Sequence, residues 1–241
     1  MKDHSREEGY CLPPLISGIL IRRYKRFLAD VRLDTGERVT AHCPNSGSMK
    51  GCAVEGERVW LSVSDNPKRK YAHTWELIKV PETFIGINTM VPNRLVKQGI
   101  EQGLIRELSG YDTVTAEVKT SAHTRLDLML SKKDGQRCYV EIKNCTLVEK
   151  GVAMFPDAVT TRGKKHLEEL QHLVSQGHEG VIFYLIQRTD ATVFKPADGI
   201  DPAYGEKLRQ AVENGVKVVT RDTRIDTRQI RIGRPIPVDL S

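Results

Sequence analysis

The stretch Arg125-Leu126-Asp127-Leu128-Met129-Leu130-Ser131-Lys132-Lys133-Asp134-Gly135-Gln136-Arg137-Cys138-Tyr139-Val140-Glu141-Ile142-Lys143 decides how the rest of this chain is read. Leu128 and Leu130 before the polar turn, and Val140 and Ile142 after it, alternate with the charged residues at the period of two strands joined by a hairpin. Glu141 and Lys143 are two apart and share a face. Register decides whether Asp127 joins them. A three-residue loop, Lys133-Asp134-Gly135 with Gly135 left-handed, puts Asp127 opposite Glu141; a two-residue Asp134-Gly135 turn sends it to the other face. The glycine favours the longer loop.

Charge is costly on a face that should be buried, so these side chains either meet solvent or gather around an ion. Two carboxylates with adjacent backbone carbonyls suit a hard cation, Mg²⁺ or Mn²⁺, which keeps several waters and accepts a phosphate oxygen. Lys143 adds a group that can orient or deprotonate the attacking water, or neutralise charge developing on phosphate. Asp127, Glu141 and Lys143 are therefore the candidate catalytic set for phosphodiester hydrolysis, with Asp127 and Glu141 as metal ligands. The plainer alternative is an ordinary polar sheet face whose exposed ion pairs contribute little.

Working outward, Asn93 reads as the cap of a helix with apolar positions Leu95, Val96, Ile100, Leu104, Ile105 and Leu108, ended by Gly110. Strands at 113–118, 125–130 and 137–142 follow, then a helix capped by Thr161 with a stripe of Leu167, Leu170, Leu173 and Val174, closed by Gly177. The apolar run 181–186 reads as an interior strand covered on both faces, and a helix at 201–214 and a strand at 216–219 complete the order. The Arg-rich tail 221–241 reads as a solvated segment.

This α-β-β-β-α-β order, with the acid ending one strand and E-x-K on its neighbour, resembles the core of the PD-(D/E)xK nuclease superfamily. Leu126 departs from the Pro of that motif, and the literal Pro156-Asp157 pair falls after the E-x-K strand and reads as a decoy. The resemblance implies a further acid from the preceding helix, with Glu107 or Glu101 as candidates, and a polar residue from the following helix, supplied by Arg162, Lys165 or His166. Glu117 on the first strand is another possible ligand.

Before residue 81 the texture is short β-like runs, 16–21, 27–33, 38–42 and 57–64, broken by turns at Asp34-Thr35-Gly36, Glu55-Gly56-Glu57 and Asp65-Asn66-Pro67. That spacing predicts a small barrel of roughly five strands. Arg22, Arg23, Lys25 and Arg26 are interleaved with Tyr24 and Phe27, and Lys68, Arg69 and Lys70 precede Tyr71; such mixtures bind phosphates and stack on bases. With Arg162, Lys165 and His166 at the start of a helix, they form the candidate nucleic-acid-binding set. Asn45-Ser46-Gly47-Ser48-Met49-Lys50-Gly51 lacks the order of a nucleotide-binding P-loop and reads as a structured turn.

The strings Arg22-Arg23-Tyr24-Lys25-Arg26-Phe27, Cys43-Pro44-Asn45-Ser46-Gly47-Ser48-Met49, Asn66-Pro67-Lys68-Arg69-Lys70-Tyr71 and Phe155-Pro156-Asp157-Ala158-Val159-Thr160 together resemble the sugar fermentation stimulation (SfsA) family. The resemblance implies an α/β (α+β) chain: an OB-like β-barrel over 1–82, then a restriction-endonuclease-like domain with a mixed sheet over 83–241. It also implies a DNA-binding protein linked to sugar metabolism, either with a Mg-dependent phosphodiesterase site or as a non-catalytic regulator, of maltose metabolism for instance, that keeps only the fold.

Bulk composition agrees with these readings. The chain has 241 residues, 39% of them hydrophobic and 28% charged, and a formal charge of +6, which favours a polyanionic partner, DNA or RNA. No run approaches the roughly 18 apolar residues of a membrane helix, and Met1-Lys2-Asp3-His4 opens no signal-like stretch, so no membrane and a cytoplasmic location are expected. Five scattered cysteines argue against a disulfide framework.

Overall fold

The structure, a computed structural model, describes residues 9–81, 83–121 and 124–241; residues 1–8, read above for a leader, lie outside the described residues. In chain order the elements are β1 (Tyr10–Cys11), β2 (Leu15–Tyr24), β3 (Leu28–Leu33), β4 (Arg38–His42), β5 (Arg58–Val63), β6 (His73–Val80) and β7 (Thr83–Gly86). Then come α1 (Val91–Glu101), a 3₁₀ turn at Arg106–Leu108, β8 (Thr113–Lys119), β9 (Arg125–Ser131), β10 (Arg137–Cys145), β11 (Leu147–Glu149) and β12 (Val152–Phe155). The chain ends with α2 (Thr161–Ser175), β13 (Glu179–Ile186), β14 (Val193–Pro196), α3 (Pro202–Glu213), β15 (Lys217–Ile225) and β16 (Gln229–Pro235).

The first sheet runs β4-β3-β2-β5-β6-β7, and a further β4–β6 pairing closes its first five strands into the OB-like barrel. Alternate residues from these strands, among them Leu20, Val31, Leu61, Trp75 and Ile78, fill the interior and are almost completely buried. Strand pairing crosses the expected 82/83 boundary. Val80 faces Thr83 across a hairpin, so β7 still belongs to the barrel sheet, while Tyr10 and Cys11 pair with Ile230 and Gln229 in the other domain. Pro81 lies in the turn between β6, which closes the barrel, and β7, which extends its sheet.

The second sheet, β1-β16-β15-β13-β10-β9-β8, is mixed: β10–β13 and β13–β15 are parallel and the other pairs antiparallel. Helix α1 covers one face, where Val91, Leu95, Val96 and Ile100 meet Leu128, Leu130, Val140, Phe183 and Leu185. Helices α2 and α3 cover the other, where Leu167, Leu170 and Leu208 meet Tyr139, Ile182, Tyr184 and Ile186. Seven of the eight β13 residues are buried, as an interior parallel strand requires.

Several expectations are corrected. Pro92 in the first turn starts α1 at Val91, so Asn93 lies inside the helix and caps nothing. That helix ends at Gln102, ahead of Gly103 at positive φ, well short of Gly110. Thr160, not Thr161, caps α2 by accepting from the Gly163 amide. The Arg-rich tail is largely structured: β15 and β16 form a hairpin, Arg221 is buried against Glu107, and Arg234 pairs with Asp222. The small sheet β11-β12-β14 lies outside the sequence reading, because strands of three or four residues carry too little periodicity, and the seven-residue β16 is masked by the arginines of the tail.

The β9–β10 hairpin has the three-residue loop. Gly135 sits at φ +90° and donates to the Lys132 carbonyl, and Lys132 donates to the Gln136 carbonyl. Gly135→Ala is expected to cost about 1–2 kcal/mol in urea unfolding, because a Cβ opposes the left-handed backbone. Gly199→Ala, in open space at an ordinary φ, should cost well under that; equal losses would show that Gly135 does not set the loop.

Candidate active site

The register pairs Arg137 with Ser131, Cys138 with Leu130, Tyr139 with Met129 and Val140 with Leu128, so the next step brings Glu141 level with Asp127. The ladder opens there. The Ile142 amide donates to Asp127 Oδ2 at 2.8 Å, and Asn93 Nδ2 donates to Oδ1 at 2.7 Å. On the other side, β8 pairs Ala116 with Leu128 and Val118 with Leu126 but skips Glu117, which has φ 57°. Leu126 and Leu128 consequently pack into opposite cores, which a regular strand would not allow. The irregularity turns Asp127 into a cleft beside the sheet.

Asp127, Glu141 and Lys143 all line this cleft, with Asn93, Asn144, Arg162 and His166. Glu141 is 3% exposed. Its Oε1 accepts from Lys143 Nζ at 2.6 Å and from His166 Nδ1, while Oε2 is buried with no hydrogen-bond partner. Arg162 Nε donates to His166 Nε2 at 3.3 Å, which makes Nε2 the acceptor and leaves Nδ1 to donate to Glu141.

The two carboxyls are driven apart electrostatically. Burial and the neighbouring Glu141 charge push Asp127 up to about 6 against the Ile142 amide, Lys143 and Asn93. Burial also opposes ionisation of Glu141, but the His166 hydrogen bond and the Lys143 charge outweigh it and hold that carboxyl below its ordinary value. Glu141 is thus the settled carboxylate and Asp127 the strained one.

The opposite wall comes from the barrel. Asn45, Ser46 and Gly47 line the same cleft as the carboxylates. The Arg23 guanidinium donates to the carbonyls of Arg26, Asn45, Gly47 and Ser48 at 2.9–3.4 Å. Across the domain boundary, Asp157 Oδ2 accepts from Ser48 Oγ and the Met49 amide, both at 3.1 Å. The Pro156-Asp157 pair is no part of the carboxylate set, yet Asp157 lines the cleft and holds its wall.

The other proposed ligands lie elsewhere. Glu107 is tied to Arg221 at 2.5 Å, Glu101 to Lys97 at 2.5 Å, and Glu117, exposed, faces Arg125 at 3.5 Å. None of the three lines the cleft, and the residue that α1 does contribute is Asn93. Its signal was the Val91-Pro92 helix start, which frees Asn93 from capping. Among the basic candidates, Arg162, Lys165 and His166 line a recess next to the cleft, with Thr124 and Arg125. Arg23 is committed to the loop. Arg22 pairs with Asp30 over the Tyr24 ring, Arg69 donates to Thr74, and Lys70 lies over Tyr71; Lys25, Arg26 and Lys68 are exposed.

A family model described as the sugar fermentation stimulation protein RE domain matches residues 90–229, and one described as the SfsA N-terminal OB domain matches 21–87. A sugar fermentation stimulation protein homolog of Geobacter sulfurreducens is 56% identical over 225 residues, 93% of this chain and 96% of that protein. This chain belongs to the sugar fermentation stimulation protein family. A family member from Shewanella loihica is 50% identical over 95% of this chain and 99% of its own. The solved Pyrococcus furiosus SfsA in complex with Ca²⁺ has the same fold, with a TM-score of 0.87 at 24% identity, covering 96% of this chain and 99% of that one. Among the described residues no helix is long and apolar enough to cross a membrane.

The raised Asp127 carboxyl has a signed consequence for stability. Its protonated form favours the folded chain, a contribution complete below about pH 4 and lost as pH rises through about 6. Asp127→Asn stays neutral, so between pH 4 and pH 8 in EDTA its Tm should gain a few degrees on that of the unaltered chain. A Tm difference constant across that range would show that the carboxyl is not raised.

Proposed function

We propose that this chain is a divalent-metal-dependent phosphodiesterase acting on nucleic acid, with its reaction centre at Asp127, Glu141 and Lys143. The observation that carries the proposal is Glu141 Oε2, a buried carboxylate oxygen with no partner, on a cleft shared with a second carboxylate and a lysine. A buried carboxylate oxygen left without a partner is costly, and a cation shared with the second carboxylate would relieve it.

The residues fit such an ion. Among the described residues no three His, Cys, Asp or Glu side chains converge on one point, so a cage made wholly of side chains is not what this site offers. Two carboxylates with water completing the shell is the Mg²⁺ pattern, and Asp127 and Glu141 would hold it. The P. furiosus family member described with Ca²⁺ binds a cation of the same hard, oxygen-seeking class. When bound, a divalent ion supplies Lewis-acid polarisation of a phosphate oxygen.

The chain's own side chains supply the rest. Lys143, with 11% of its side chain exposed, offsets the Glu141 charge and lines the cleft, where its ammonium can meet charge developing on a phosphate oxygen. His166 fixes the Glu141 carboxylate by a hydrogen bond, and Arg162 fixes His166. Arg162 lies in the first turn of α2, where peptide dipoles also favour an anion. The net charge of +6 serves encounter with a polyanion.

Incubation of the chain with single- and double-stranded DNA and RNA in Mg²⁺ or Mn²⁺ should yield cleavage that EDTA abolishes. Asp127→Ala and Lys143→Ala should each lower the rate by about 100-fold or more. Activity surviving both substitutions removes the assigned site, and binding without cleavage leaves a non-catalytic DNA-binding protein.

Ion binding should also depend on pH with a definite sign. Asp127 must lose its proton to ligate, so apparent Mg²⁺ affinity is expected to fall about tenfold per unit below about pH 6 and to level off above it. Calorimetric titration from pH 5 to 8 reads this directly. Affinity that is flat across that range would exclude Asp127 as a ligand.

A further inference from the structure

We infer that the cleft selects single-stranded nucleic acid, and that the barrel segment Asn45-Ser46-Gly47-Ser48 is what keeps a duplex out. The inference rests on the reading of the site given above, and its substrate class follows from the depth of that site together with two observations that the reading does not use.

The reaction centre is recessed between two walls. Glu141 is 3% exposed, and the cleft that reaches it holds about 380 Å³, near the low end of the roughly 300–1,000 Å³ that suits a small ligand. A phosphodiester in a duplex arrives with its paired base and second strand alongside. A single strand can turn its bases aside and lower one linkage between the walls.

The barrel wall is also fixed rather than hinged. Arg23 takes three carbonyls of the segment, Thr89 Oγ1 donates to Pro44 O at 2.6 Å, and Asn45 Oδ1 accepts from the Gly47 amide at 2.9 Å. Asp157 clamps the far end through Ser48 and Met49. Gly47 lies so close to Asp157 that a Cβ there would fall 2.6 Å from its Oδ2, which leaves the wall no room to move toward the carboxylate. A duplex would have to break this set of contacts.

Exposed apolar side chains adjoin cleft-lining residues along the chain. Met90 is 63% exposed between the cleft-lining Thr89 and Pro92, and Val159 is 69% exposed between Asp157 and Arg162. Apolar groups at such a rim suit the faces of unstacked bases, which a duplex hides in its stack.

The test has a binding arm and a cutting arm. Fluorescence anisotropy on the Asp127→Ala chain compares oligothymidylate with a blunt hairpin duplex, and the unaltered chain is assayed on both in Mn²⁺. A preference of about tenfold or more for the single strand is expected in each arm. Asp157→Ala and, as a milder change, Arg23→Lys loosen the wall and should shrink that ratio by about fivefold or more, with folding checked by Tm. Equal handling of both substrates, or a ratio unmoved by both substitutions, overturns the inference while leaving the phosphodiesterase reading intact. A single-strand binding preference with no cleavage of either substrate upholds selection and instead overturns the catalytic reading.

Discussion

Everything near the cleft depends on forcing a second carboxylate next to one that is already buried. Glu141 is kept ionised by His166 and Lys143, so Asp127 has to live beside a fixed negative charge. Two ladder breaks, the skipped Glu117 step and the Asp127 carboxylate that takes the Ile142 amide, make that placement possible. The register itself is kept on both sides of Asp127, so the departure is confined to the one step where the charges gather.

Much of this was legible in the sequence because the hairpin is short and its period is two. The E-x-K spacing put Glu141 and Lys143 on one face, and Gly135 chose the register that brings Asp127 level with them. The order of helices and strands followed from apolar runs such as that of β13. The barrel is legible as turns at regular intervals, although β7, which extends its sheet, is hidden behind Pro81, whose turn chemistry reads the same inside a hairpin as at a domain end.

What stayed hidden was set by contacts between distant segments. Asn93 looked like a cap because Asn in front of an apolar stripe ordinarily is one, and only the folded sheet shows that it reaches Asp127. Asp157 looked like a misplaced motif, since nothing local reveals that its partners are Ser48 and Met49, more than a hundred residues earlier. Glu107 was a sound candidate by position, but the arginine that claims it, Arg221, lies in a tail whose charge suggested solvent rather than a buried ion pair. Periodicity reports which way a side chain points within its element and is silent about which element it meets.

The pairing of β1 with β16 changes how the two domains relate. The first described strand of the chain pairs at the edge of the C-terminal sheet, so the barrel is joined to its host domain on both sides. Both of its ends are anchored in the host, through β1 and through α1, which restrains rotation of one body against the other far more than a single linker would. During synthesis from the N-terminus, the barrel's strands are all available early, whereas β1 must wait for almost the whole chain before its partner exists. The cleft, with one wall from each body, therefore needs segments from nearly the full length of the chain.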